Sequence, residues 1–309
     1  MTKEQTINTL PHSMKAWIQV CRPFSYTASM IPVLLGAALA IYMKDSAKWS
    51  LFPLIILASL LIHAATNLVS EYFDYKKGVD RPETYGSSRA LVDHLVSPKQ
   101  VFLVGMVCFA LAACIGLVFV ALCGWPILVL GVIGLLGGFF YTATPAAYKY
   151  YGLGDPFVFW LMGPLMVIGS FYVLTGTYNH HVLLISLPVG CLVAAILSGN
   201  NLRDMTHDTA AGIKTTATVL GFRLARYEYT ALLTGAYIAV LAMVALKILP
   251  LWSLLTLLTT PAALKIIKAA LHTDRDRPQS IAALDVQTAQ LHMSFGLLLI
   301  ISVILGDLL

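Results

Sequence analysis

The chain has 309 residues, of which 58% are hydrophobic and 11% charged, with a mean hydropathy of +0.80 and a formal net charge of +5. A water-soluble domain carries about 25% charged residues, so this composition describes an integral membrane protein and excludes soluble, disordered and coiled-coil chains. Cys21, Cys108, Cys114, Cys123 and Cys191 show no paired spacing, which excludes a disulfide-stapled module; four of them lie in apolar runs, as small core residues do.

The first 22 residues are polar and carry no small-residue cleavage site after an apolar run, so they read as a retained segment rather than a signal peptide. Within them, residues 13–22 (SMKAWIQVCR) predict a short amphipathic helix at the membrane interface, with Trp17 as anchor and Lys15 and Arg22 facing headgroups. A spanning helix needs about 20 mostly apolar residues, with Pro, Gly and charge clusters marking its ends. Nine runs qualify: 23–43, 51–74, 99–122, 125–144, 156–176, 181–200, 227–247, 250–271 and 290–307. The predicted fold is all-α and polytopic, one membrane-embedded domain over residues 1–309, with long polar loops at 75–98 and 201–224.

Nine spans put the N-terminus and the loops after spans two, four, six and eight on one face. That face holds Lys3, Lys15, Arg22, Lys76, Lys77, Arg81, Arg89, Lys99, Lys149, Arg203, Lys214, Arg223, Arg226, Lys265, Lys268, Arg275 and Arg277, leaving Lys44, Lys48 and Lys247 opposite. The asymmetry predicts that the basic face is cytoplasmic. Topology accounts for the basic excess, and no nucleic-acid partner is needed.

Acidic residues are scarce, and they cluster on that same face. One cluster closes the second span (Asn67, Glu71, Asp74, then Asp80), and another closes the sixth (Asn201, Asp204, Asp208). Asn67, Glu71 and Asp74 are spaced i, i+4, i+7, and Asn201, Asp204 and Asp208 are spaced i, i+3, i+7, so each set lies along one helical face. Carboxylates crowded beside an apolar medium repel unless a cation sits between them, and hard oxygen ligands suit Mg²⁺ completed by phosphate oxygens. Nearby loops add Lys76, Lys77, Arg81, Arg89, Tyr148, Lys149, Arg203 and Lys214, cations and donors fit to neutralise a departing diphosphate, with Gly78, Gly86 and Gly212 allowing tight turns. The pattern therefore points to a metal-bridged diphosphate. Tyr72, Tyr141, Phe157 and Phe159 are aromatic candidates for flanking a cation.

With its two motifs, NLVSEYFDYKKGVD and NNLRDMTHD, the chain resembles the UbiA superfamily of intramembrane prenyltransferases over nearly its whole length. SSRALVDHLVSP, GLGDPFVFWLMGPLMVIGSFYV, the RPFSYTASMIPVLLG entry to the first span and NNLRD followed by GIKTTATVLG look most like the members that prenylate 1,4-dihydroxy-2-naphthoate in menaquinone synthesis. The resemblance implies nine helices around a cavity open to the bilayer of a bacterial-type plasma membrane, Mg²⁺ as cofactor, and an all-trans polyprenyl diphosphate and an aromatic acceptor as partners. It also implies that Asn67, Asp74 and Asp80 belong to the first metal site, Asp204 and Asp208 to the second, and Arg89, Lys149 and Arg203 to a phosphate clamp. Ser70 stands where many relatives have a second Asn, and Glu71 where Asp is commoner, keeping the charge at longer reach as a possible ligand. His63, His94 and His207 fit structural roles as readily as that of a base, and Asp155 fits either an acceptor-orienting group or a helix cap. Two alternatives stay open: another acceptor (4-hydroxybenzoate, homogentisate or a lipid glycerol) and a transporter, although acids at helix ends rather than at the midplane disfavour transport.

Overall fold

The computed structural model describes residues 12–43, 46–80, 88–275 and 277–308. Lys3, Lys44, Arg81 and Gly86, named above, lie outside these residues. The helices are α1 (His12–Cys21), α2 (Thr27–Tyr42), α3 (Phe52–Lys76), α4 (Pro98–Cys123), α5 (Trp125–Phe139), α6 (Gly154–Thr175), α7 (His180–Ala210), α8 (Thr216–Leu220), α9 (Phe222–Ala245), α10 (Thr260–His272) and α11 (Leu284–Leu308). Among the described residues the only β pairing is an isolated parallel bridge between Tyr151 and Lys214.

Local chemistry sets the helix ends. Pro53, Pro98, Pro126 and Pro261 occupy first turns, where a missing N–H costs nothing. Ser97 and Gln100 form a capping box on α4, and the Asn179 side chain accepts from the His181 N–H at 2.9 Å to cap α7. Gly124, at φ +91°, turns α4 directly into α5, a conformation that a side chain would strain. In α6 the ladder widens into a π-type turn over Leu161–Leu165 around Pro164, which has no N–H to give. There Gly163 crosses α7 so closely that a Cβ on it would lie 2.4 Å from the Cα of Gly190, the close approach that small residues allow in membranes.

The long helix α7 is the hub, two-thirds buried in its apolar stretch. Its Ile185, Leu192 and Val193 pack into one core with Leu35 and Leu39 of α2, Phe171 and Leu174 of α6, Tyr229 and Leu233 of α9, and Phe295 and Leu299 of α11. Outer faces expose Leu103, Leu117, Ile238 and Leu258 by more than 60%, as lipid contact requires. Cys114 is exposed as well, so it is not a core residue, and all five cysteines are free.

Seven helices among the described residues are long and apolar enough to cross a membrane. The other two expected spans, 23–43 and 125–144, are helices of 16 and 15 residues, below the roughly 20 needed. The first loses a turn to the 3-10 segment Pro23–Tyr26, and the second stops at Phe139, after which the chain turns into the loop carrying Tyr148–Tyr150.

Candidate active site

The C-terminal ends of α3 and α7 meet at one end of the bundle, above a cavity of about 390 Å³. Its polar end is lined by Asn67, Asp74 and Asp80 from the first motif, Asn201, Asp204 and Asp208 from the second, and Tyr148 and Lys149 from the loop between α5 and α6. From there it runs into an apolar interior walled by Val33, Ile55, Phe119, Ile127 and Leu165. The helical spacing thus brings Asn67 and Asp74 of the first stripe to one space with Asn201, Asp204 and Asp208 of the second.

Asp74 is the best-held acid. Its Oδ2 accepts from Lys149 Nζ at 2.8 Å and Ser70 Oγ at 3.0 Å, and its Oδ1 accepts from the Tyr150 hydroxyl. Burial alone would push the Lys149 ammonium down, but the Asp74 carboxylate outweighs it and holds the ammonium above its ordinary value. Burial and the same carboxylate raise the Tyr150 phenol, so it stays a donor. Asp80 differs: its Oδ2 is buried without a hydrogen-bond partner among the described residues, and burial, then Asp74, then Glu71 push its carboxyl up to about 7. An acid left in that condition needs a proton or a cation.

The two asparagines turn the same way. Asn67 Nδ2 donates to Cys21 O at 3.4 Å and Ser25 Oγ at 3.3 Å, and Asn201 Nδ2 donates to Asp155 Oδ1 at 3.0 Å. Both side chains line the cavity, and in each the amide nitrogen donates to a neighbouring group rather than to the facing motif. Asp155 is therefore a buried partner of Asn201, not a cap: α6 begins at Gly154, with Leu153 as its cap residue.

Several expected residues stand elsewhere. Glu71 does not line the cavity; it is fully buried behind it, paired with Arg22 at 2.8 Å and accepting from the Ser88 hydroxyl. Arg22 correspondingly lines the cavity instead of facing headgroups. Arg203 also stays out of the cavity. Its Nε and Nη2 bond Asp204 at 3.0 and 2.7 Å, its Nη2 also bonds Asn200 Oδ1 at 3.1 Å, and its Nη1 bonds Asp285 at 2.8 Å and Ala282 O at 3.3 Å. These contacts use the guanidinium's donors, so Arg203 has none left for a phosphate. Arg89 is exposed and paired with Asp93 at 3.1 Å, and exposed Lys214 joins Tyr151 through the backbone bridge; neither lines the cavity. Lys77 donates to Thr142 O at 3.1 Å and lies 4.0 Å from the Tyr150 ring centroid, while Lys76 lies over Tyr72.

Of the aromatic candidates, Tyr141 lines the cavity. Tyr72 packs on Phe73 and Phe102, Phe157 stacks on Tyr148, and Phe159 packs on Trp160. His63 lines the cavity with both ring nitrogens taken by Ser25 and Ser29, whereas His94 and His207 do not line it. Sequence reasoning missed Tyr150, Ser70, Arg22 and Asp285 as parts of the site. Tyr150 flanks Lys149 in YKYYG, and Ser70 stands one turn before Asp74, so both carried a usable local signal; Asp285 carried none.

Among the described residues, five carboxylates (Asp74, Asp80, Asp204, Asp208 and Asp285) line the cavity against two cations, Arg22 and Lys149, and Arg22 is already matched by Glu71. Among the described residues no group of three His, Cys, Asp or Glu is gathered closely enough to hold a metal ion. The donor set, with its acid excess and its orphaned Asp80 oxygen, fits hard cations completed by oxygens of a bound anion.

The sequence pattern of the UbiA prenyltransferase family matches residues 29–304. The chain is 33% identical to 1,4-dihydroxy-2-naphthoate octaprenyltransferase of Bacillus subtilis over 93% of this chain and 92% of that one. It is 32% identical to the UbiA prenyltransferase domain-containing protein 1 homolog of Drosophila melanogaster, over 94% and 79% of the respective chains. Its fold is similar to that of a UbiA homolog from Aeropyrum pernix K1, with a TM-score of 0.68, 17% identity, and 92% and 98% of the two chains covered. It is also similar to a UbiA homolog from Archaeoglobus fulgidus bound to GPP and Mg²⁺, with a TM-score of 0.57, 15% identity, and 92% and 99% covered. An apolar helical bundle enclosing two facing acidic motifs, matched along nearly its whole length, is an integral membrane prenyltransferase, and the chain belongs to the UbiA prenyltransferase family.

Proposed function

We propose that the protein transfers a polyprenyl group from an all-trans polyprenyl diphosphate to 1,4-dihydroxy-2-naphthoate, releasing diphosphate and CO₂ and giving demethylmenaquinol, with the acidic end of the cavity on the cytoplasmic face. The observation that carries this reading is the cavity itself: two asparagine–carboxylate stripes and Lys149 at one end of a long apolar chamber, in a chain whose relative in Bacillus subtilis is named for this acceptor. The basic residues on the same face as the motifs support the orientation.

Mg²⁺ held by Asp74, Asp80, Asp204 and Asp208 with the amide oxygen of Asn67 would neutralise the diphosphate and assist its departure. The protein's own groups do the rest. Lys149, which lines the same end of the cavity with Tyr148 and Asn201, would meet the charge that develops on the leaving oxygen. The apolar walls hold the isoprenoid chain and exclude water from the allylic cation, and the Tyr141 ring faces that space. The allylic C–O bond breaks with its electron pair leaving on diphosphate. The electron-rich ring carbon bearing the carboxylate forms the new C–C bond, and loss of CO₂ returns an electron pair to the ring. No external base is required for that balance, in keeping with a His63 whose nitrogens are both occupied.

The test is turnover of purified protein with Mg²⁺, a polyprenyl diphosphate and a panel of acceptors: dihydroxynaphthoate, 4-hydroxybenzoate, homogentisate and a lipid glycerol. Prenylated naphthoquinol is the expected product, and exclusive use of another acceptor would overturn the assignment.

A further inference from the structure

Arg203 and its neighbours pose a charge problem. A guanidinium gripping Asp204 through two parallel hydrogen bonds, at 3.0 and 2.7 Å, would neutralise that carboxylate and make it a poor ligand for a cation. The last helix supplies a second acid to the same guanidinium. Asp285, in the first turn of α11, accepts from Arg203 Nη1 at 2.8 Å and, through the same Oδ1, from the Val286 N–H at 2.9 Å, so it is pinned by its own helix start. Asp285 is 6% exposed and Arg203 3%. Their partnership spans 82 residues of sequence and ties α11 to the second motif. One positive charge is thus divided between two carboxylates, and the motif keeps a net negative charge facing the cavity. The first motif is built alike, with Glu71 taking up Arg22 so that Asp74 and Asp80 are not neutralised by it.

We infer that Asp285 is a positioning residue: by holding Arg203 from its far edge, it keeps the guanidinium from matching the charge of Asp204 in full and orients that carboxylate for a divalent cation. The inference rests on the reading of the acidic motifs as a metal–diphosphate site. Without Asp285, Arg203 pairs with Asp204 alone, and cation affinity falls while the acceptor's KM does not change.

The experiment measures Mn²⁺ binding to full-length protein in detergent, by loss of the free-ion electron paramagnetic resonance signal, with inorganic pyrophosphate present. Folding of each variant is checked by its Tm. Asp285→Asn is expected to raise the Mn²⁺ concentration for half-saturation about tenfold, as loss of a group that orients a metal ligand does, and Asp285→Glu to restore most of it. Arg203→Lys, which cannot span both carboxylates, is expected to reproduce the loss and provides the test if Asp285→Asn does not fold. In an Arg203→Gln background Asp285→Asn is expected to change nothing further, since Asp285 acts through Arg203. Unchanged half-saturation in Asp285→Asn or in Arg203→Lys would overturn the inference. A full additional loss in the Arg203→Gln background would also overturn it, by making Asp285 a direct ligand. Absence of pyrophosphate-dependent Mn²⁺ binding in the unsubstituted protein would instead overturn the metal-site reading beneath it.

Discussion

Replacing Lys149 by Met probes the contact on which the first motif depends. Lys149 Nζ lies 2.8 Å from Asp74 Oδ2, with side chains 19% and 4% exposed. At an effective dielectric constant of about 20, this separation corresponds to a gross attraction of about 6 kcal/mol, from which the cost of desolvating the ammonium must be subtracted. Removing one partner of a buried pair costs about 3–5 kcal/mol, and here Asp74 keeps its bonds from Ser70 and Tyr150, so the metal-free protein is expected to lose about 3 kcal/mol. In the reaction the loss is one donor aimed at the leaving oxygen, worth about 10²-fold in kcat, with the acceptor's KM little changed. Thermal unfolding in detergent without Mg²⁺ and steady-state kinetics with it measure the two effects separately. A Lys149→Met protein with ordinary stability and turnover within about threefold of the parent would refute the pairing and the clamp together.

Asp74→Ala and Asp208→Ala are each expected to abolish Mg²⁺-dependent turnover while the protein stays folded in detergent; near-normal turnover in either would remove the metal assignment. The Asp80 carboxyl is raised to about 7, so the stability it contributes is complete below its unfolded value near 3.9 and is lost as pH rises through about 7. The Tm of metal-free protein should accordingly fall between about pH 4 and pH 7 and level off above that, and saturating Mg²⁺ should reduce that fall; a flat profile over that range would contradict the buried state of Asp80. Gly163→Leu should destabilise the bundle by at least about 1–3 kcal/mol, because the new side chain meets the Gly190 backbone of α7, and lower folded yield in detergent would show it.

Much of this site was legible because it is helical and local. Apolar blocks located the helices, and the i, i+3, i+4 and i+7 spacing placed Asn67, Asp74, Asn201, Asp204 and Asp208 on faces that meet in one cavity. What escaped was set by partners distant in sequence. Nothing near Glu71 announces that its carboxylate turns to Arg22, 49 residues earlier, and nothing near Arg203 announces Asp285. Charge alone made Arg203 a candidate phosphate ligand, yet hydrogen-bond saturation decides what an arginine can reach. The same limit applies to span lengths: a 3-10 entry to α2 and an early stop in α5 shorten two apolar runs in ways that hydropathy does not register.

The fate of the acceptor's carboxylate can be followed with 1,4-dihydroxy-2-naphthoate labelled in its carboxyl carbon, incubated with purified protein, Mg²⁺ and a polyprenyl diphosphate. Prenylation at the carboxylate-bearing carbon yields one labelled CO₂ for each diphosphate released, together with an unlabelled prenylated naphthoquinol. Diphosphate release with the label retained in the prenylated product, or with no prenylated naphthoquinol formed, would contradict it.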